Sequence, residues 1–468
     1  MRDPASRQRS ALLAVPLGIL VVLTTAACAG TSVAQVATDA TTTTGSTTTT
    51  TTTPPDCADT LPTRAKASQL LMTMVEDPAS VSEPLKAGLI GGFGLKGNQR
   101  SDVGETLTEV TADTPLPATV AVDEEGGTVQ RLRYPVGRLP SAREMAEGTP
   151  QEAAEQFAEH ATLMADLGIT MNFAPVADVG ESKVLGTRTY GDDPDTVAGF
   201  ASAVAQANLD AGVVPVVKHW PGIGGSSVDP HNSLPTLSPI DELRANDLRA
   251  FDTVIAGGVP AVMVAHAEVP GLTATGEPAS LSRAAITDEL RGREGFDGVV
   301  ITDSLGMGAI VNNTTQNDAS EAAILAGADI ALLSGTDAIE DAHAQLVSAI
   351  DEGRIPADQV TESVRRVLAL KGIEGECLDA VSAFGALGRI ESDALDEEGL
   401  DGAAQMPGTD QEGTGEGDGR STGDTGDDDD STGGDTGGSG NTNGNGNGGT
   451  GGRSSTTGEV VDRGINDP

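Results

Sequence analysis

Seven runs of strand length recur along the middle of this chain, and each is continuously apolar rather than alternating: GLIGGFGL (88–95), PATVAVD (117–123), ITMNFAPVADV (169–179), VVPVVKH (213–219), AVMVAHA (261–267), GVVITDS (298–304) and ADIALLS (328–334). Continuous runs suit strands buried on both faces, as in a parallel sheet. Amphipathic stretches with helical spacing separate most of them, at 151–168, 195–212, 282–292 and 357–372. This alternation over one domain predicts an α/β fold, a single TIM-type (β/α)8 barrel whose eighth strand the pattern does not place. A doubly wound open sheet would alternate in the same way. No G-x-G-x-x-G opens a helix here, so that fold would lack its usual nucleotide site.

Polar residues gather where the apolar runs stop. Asp123, Asp178, Lys218, His219, His266 and Asp303 lie at or near the C-terminal ends of predicted strands, the end at which a barrel builds its active site. Any one of them reads equally well as a cap or a core hydrogen-bond partner, but their spread over several strands is hard to assign to packing. The segment KHWPGIGGSSVDPHNSLP (218–235) adds a loop rich in Gly and Ser that carries Asp229 and His231 two residues apart. The strand end fixes binding groups, and a mobile loop can bring a proton donor to a substrate and withdraw it. Asp303 itself has two readings, a rigid ionised nucleophile or the N-cap of the following helix.

The ends of the chain differ from its middle. Residues 1–28 read as an export signal: Arg2, Arg7 and Arg9 precede the apolar ALLAVPLGILVVL, a stretch too short for a permanent membrane span. Thr25, Ala26 and Ala27 before Cys28 resemble a lipobox, with Thr25 where Leu is usual, so Cys28 is the expected lipid attachment point. Cleavage near Ala29 to release a soluble protein is the alternative. Residues 29–56 form a Thr-rich linker with nothing large to bury. Residues 389–468 are an acidic tail of Gly, Thr, Asn and Asp; from Glu391 onward it holds 19 acidic residues against 3 arginines, in a chain of net charge −42. The tail reads as solvating, with calcium or wall contact as lesser options. Residues 57–388 remain for one large folded domain. Its negative charge excludes nucleic acid as a partner. Cys57 and Cys377 stand at its two edges, and in an exported protein they most simply form a disulfide; two free thiols are the alternative.

Four motifs occur in a fixed order: AVDEEGGTVQRL (121–132), MNFAPVADVG (171–180) with GTRTYGDDP (186–194), KHWPGIGGSSVDPHNSLP (218–235) and GFDGVVITDSLGM (295–307). Together they resemble family 3 glycoside hydrolases, specifically the single-domain bacterial β-N-acetylglucosaminidases of wall turnover. The resemblance implies that Asp303 is the nucleophile and His231 the general acid/base, with Asp229 its partner. It also implies that Asp123, Arg131, Arg188, Lys218 and His219 bind the terminal sugar. Imidazole titrates near neutrality, so it can protonate a leaving oxygen and later activate water. No cofactor or metal is implied. The expected substrate is a GlcNAc-containing muropeptide or disaccharide, met outside the cytoplasmic membrane by an enzyme held there through its lipid anchor. A phosphorylase using the same site and an inactive wall-binding lipoprotein are the rival functions. Three positions depart from the family pattern: Ile223 takes a His position, Pro230 a Ser position and Thr128 an Arg position. Trp220, the single Trp, reads as core rather than as a sugar platform.

Overall fold

The computed structural model describes residues 56–375 and 377–387. The export signal with Cys28, nearly all of the Thr-rich linker and the acidic tail fall outside the described residues. Among the described residues ten strands are present: β1 (Leu71–Val75), β2 (Gly92–Leu95), β3 (Thr119–Val122), β4 (Glu124–Gly126), β5 (Val129–Gln130), β6 (Met171–Asn172), β7 (Val214–Trp220), β8 (Ala261–Val264), β9 (Val299–Thr302) and β10 (Ala331–Ser334). Eight of them form one sheet in the order β10-β1-β2-β3-β6-β7-β8-β9. Every pairing in it is parallel. A parallel bridge between Ile301 and Ile330 brings the two ends of the sheet together, so the strands wrap into the expected (β/α)8 barrel. Strands β4 and β5 stand apart as an antiparallel hairpin.

The strand that the apolar pattern left unplaced is β1. Its LMTMV follows the helix Thr63–Gln69 after a single residue, Leu70, with no Gly or Pro between them. A buried helix end runs into a buried strand there without punctuation. The run at 169–179 makes less strand than predicted. Beyond Asn172 it contributes only a bridge from Val176 to Lys218, and Pro175 has no N–H to give to a ladder. Three of the four predicted helices are Pro150–Asp166, Pro194–Asp210 and Ala357–Leu370. The first two begin with a side-chain cap, Thr149 or Asp193, followed by Pro. The fourth, Ala284–Arg293, winds as a wider π-helix.

Strand periodicity explains where the site forms. Met72, Met74, Ala121, Val216, Met263, Ile301 and Leu332 fill the barrel interior, while Leu71, Val75, Val262, Val300 and Leu333 pack outward against the helices. Side chains alternate along a strand. Continuing the inward series past Ala121, Val216 and Ile301 therefore turns Asp123, Lys218 and Asp303 onto the inner face at the barrel mouth. On β2 the inward positions are Gly92 and Gly94, and Gly94 lies against the Met74 thioether. Lys96 is next in that series. Cys57 and Cys377 form a disulfide, joining the two ends of the domain across 320 residues of sequence.

Candidate active site

A cavity of about 810 Å³ opens at the C-terminal ends of the strands. Its lining includes all eight residues to which sequence resemblance gave a role: Asp123, Arg131, Arg188, Lys218, His219, Asp229, His231 and Asp303. Asp178 and His266, also singled out by their position at strand ends, stand behind this wall. The Asp178 carboxylate holds His219 Nδ1 at 2.7 Å and accepts the Ile223 N–H at 2.7 Å. His266 Nδ1 meets Ser280 Oγ at 2.7 Å, and its Nε2 meets the Ser304 carbonyl at 2.9 Å. Burial lowers the pKa of His266, with nearby Asp303 opposing.

A compact charge cluster forms one side of the cavity. Lys218 Nζ donates to Asp123 Oδ1 at 2.6 Å and lies 2.7 Å from Glu125 Oε1. Arg188 grips Glu125 with two parallel bonds, 2.7 and 2.8 Å, a geometry that holds both groups in one plane. Burial alone would raise the Glu125 pKa, but Arg188 and Lys218 outweigh it and hold the carboxyl far below the usual range. Burial likewise works against the Lys218 charge, and Asp123 with Glu125 reverses that, raising its pKa. Removed from water, these groups remain charged only because they are paired.

Glu125 sits on the β4–β5 hairpin, and a buried network fixes that hairpin. Glu124 Oε2 accepts the Leu132 N–H at 2.8 Å and Oε1 meets His160 Nε2 at 2.8 Å. The Asn172 amide bonds both the N–H and the carbonyl of Glu124 at 3.1 Å. His160 comes from the helix Pro150–Asp166, so one side chain ties the outer helix layer to the site.

Asp303 lies on the floor of the cavity and accepts the Ser304 N–H at 2.7 Å. Burial raises its pKa, yet His219, His266, the Ser304 N–H and Lys218 together bring it below the ordinary carboxylate value, so it stays ionised. The Asp229 carboxylate meets His231 Nδ1 at 2.8 Å and also accepts the His231 N–H at 3.0 Å. This fixes the ring and leaves Nε2 for other partners.

The loop bearing this pair is seated at both ends. At its start, Ile223 is buried in the core and bonded to Asp178. At its end, the Pro230 carbonyl accepts the Ala309 N–H at 3.0 Å and the His231 carbonyl accepts the Gly308 N–H at 2.9 Å. Asn312 Nδ2 adds a bond to the Asn232 carbonyl at 2.9 Å. The Asp229–His231 turn is therefore docked on the segment that follows Asp303. Ile223 and Pro230, two departures from the family pattern, thus contribute packing and a backbone carbonyl to this seat. The third, Thr128, is exposed at the rim. Trp220 is fully buried, with its Nε1 donating to Glu294.

Sequence reasoning passed over Glu125, Lys96, Lys183 and Ser334, all of which line the cavity. The signal for Glu125 was the unbroken Asp-Glu-Glu of AVDEEGG. For Lys96 and Ser334 it was strand parity, which needs the strand ends to be known first. Taken together, the cavity offers an ionised carboxylate, an imidazole oriented by a second carboxylate, and alternating cations and carboxylates suited to hydroxyl groups. Among the described residues no cluster of metal-ligating side chains occurs.

Comparison with known proteins bears on the fold and the family. Residues 62–370 match the model of the glycosyl hydrolase family 3 N terminal domain. The β-hexosaminidase LpqI of Mycobacterium tuberculosis is 40% identical over 329 residues, 68% of this chain and 84% of that protein. The solved structure of M. tuberculosis LpqI superposes with a TM-score of 0.64 at 41% identity, covering 67% of this chain and 94% of the other. A family 3 β-N-acetylglucosaminidase from Paenibacillus superposes with a TM-score of 0.63 at 32% identity, over 69% of this chain and 63% of that one. With a family match across most of the barrel, this chain belongs to glycosyl hydrolase family 3 and is a glycoside hydrolase.

Proposed function

We propose that this enzyme is a retaining exo-β-N-acetylglucosaminidase that removes terminal GlcNAc from muropeptides or GlcNAc–MurNAc fragments. The names of its relatives, β-hexosaminidase and β-N-acetylglucosaminidase, support the sugar class. In this reading an Asp303 oxygen attacks the anomeric carbon while His231 gives its proton to the departing oxygen. The glycosyl–Asp303 ester is then hydrolysed by a water whose proton His231 takes. Asp229 orients the imidazole. Asp123, Arg131, Arg188, Lys218 and His219 hold the terminal sugar, with Glu125 keeping Arg188 and Lys218 in place. The export signal and Cys28 fit an enzyme lipid-anchored at the outer face of the cytoplasmic membrane, or secreted if cleavage falls near Ala29.

One observation carries the mechanism: the Asp229–His231 turn is bonded to Gly308 and Ala309, a few residues beyond Asp303, and both groups line the same cavity. The test is GlcNAc release from purified muropeptides, with proton NMR following the first-formed anomer. The wild type should release β-GlcNAc, and Asp303→Ala should release none. Equal turnover in the two, or an initial α-anomer, would remove this mechanism. A sugar 1-phosphate formed only when phosphate is added would replace water by phosphate as the acceptor.

A further inference from the structure

Lys96 differs from Lys218 and Arg188 in its pairing, and from Lys183, which is exposed, in being half-buried. Lys218 and Arg188 are held by carboxylates at 2.6–2.8 Å. Lys96 is half-buried in the same cavity, and among the described residues the one polar contact of its ammonium is Ser334 Oγ at 3.4 Å. The inward positions before it on β2 are glycines, and the Met74 and Phe173 side chains pack into the space beside Gly94, just below it. An ammonium carried into a cavity without a counter-ion is placed to receive an anion.

Its position says which part of a substrate that anion belongs to. Arg188, Glu125, Lys218 and His219 come from the β3–β7 side of the mouth. Lys96 reaches instead toward β10, to Ser334, whose Cβ packs against Gly306. Two residues further on, Gly308 carries the backbone bond to His231. Lys96 and His231 are thus linked along the same rim, running from β10 to the segment after β9. His231 is the proton donor to the departing oxygen in the function proposed above, and this inference rests on that reading. The leaving group must then depart along the rim that Lys96 shares.

We propose that Lys96 is a specificity-determining residue that binds an anionic substituent on the leaving sugar, such as the lactyl carboxylate of MurNAc. A neutral leaving sugar would leave it unpaired. The chain as a whole is strongly acidic, with a net charge of −42, so an anionic substrate needs a local cation to offset repulsion at the mouth.

The experiment compares kcat/KM for GlcNAc–MurNAc with that for the neutral disaccharide GlcNAc–GlcNAc, in the wild type, Lys96→Met and Lys96→Arg. A hydrogen bond between two charged groups is worth enough that the preference for the anionic substrate should fall about tenfold or more in Lys96→Met. Lys96→Arg should keep most of that preference, separating charge from packing. The preference of the wild type should also weaken with added salt. An unchanged ratio in Lys96→Met, with the wild type active on GlcNAc–MurNAc, overturns the role of Lys96 and leaves the proposed function standing. A wild type that cleaves GlcNAc–GlcNAc but not GlcNAc–MurNAc overturns both. If the ratio holds and only the yield of sugar 1-phosphate in added phosphate changes, the anion is the acceptor, and the assignment to the leaving sugar is wrong.

Discussion

Replacing Gly308 by Ala tests whether docking of the His231 turn sets the rate. A Cβ at Gly308 would stand 2.5 Å from the His231 carbonyl oxygen and 2.7 Å from that of Asn232. Both are backbone atoms and cannot swing aside, so the turn must lift. Lifting breaks the bonds from Gly308 to His231 and from Ala309 to Pro230, 2.9 and 3.0 Å long. At about 1 kcal/mol net each, their loss shifts the docked population by about 2 kcal/mol, or about 30-fold in kcat/KM. That lies below the 10²–10⁴ that general acid–base help typically contributes, so activity should fall without vanishing. The substitution should otherwise be benign. Gly308 opens the short helix Gly308–Val311, and Ala is the better helix former. The assay is kcat/KM on a disaccharide and on an aryl β-GlcNAc with a good leaving group, beside a thermal melt. A poor leaving group should suffer more, because it depends more on the proton from His231, and the melting temperature should stay near that of the wild type. Wild-type rates on the disaccharide, or a loss of activity matched by a large drop in melting temperature, would refute the reasoning.

Two further outcomes follow from buried chemistry away from the cavity. Burial, reinforced by Asp252 and only partly offset by Arg293, raises the Glu294 pKa to about 8. The fold therefore holds a proton that the unfolded chain gives up near pH 4, and stability should decline as pH rises from there toward 8. Because Glu294 accepts from Nε1 of the single Trp220, intrinsic fluorescence should titrate near pH 8 in the wild type and stay flat in Glu294→Gln; a flat wild-type curve would place the proton elsewhere. Reduction of the Cys57–Cys377 disulfide frees a loop of 320 residues and should cost about 2–5 kcal/mol of stability, read as a lower denaturant midpoint with added reductant; an unmoved midpoint would show that packing alone secures the domain ends.

Much of this protein could be read along the chain because its information is local. Continuous apolar runs marked strands sheltered on both faces, and five of the seven carried a polar residue at or near their C-terminal ends. The missing strand, β1, was hidden by an equally local cause: helix and strand there share one buried, unpunctuated run. The quoted motifs carried all eight residues to which resemblance gave a role, since each motif is a strand end with its following loop.

What the chain could not express is who pairs with whom. Glu125 meets Arg188 across 63 positions and Lys218 meets Asp123 across 95, and neither spacing has a period that folding would leave in the sequence. The seat of the His231 turn on Gly308 and Ala309 and the isolation of the Lys96 ammonium are likewise products of closure. Composition and periodicity decide which groups reach the rim of the barrel. Only the register of eight strands around a ring decides their neighbours, and in a site shielded from water the neighbours determine which charges survive and what they are able to do.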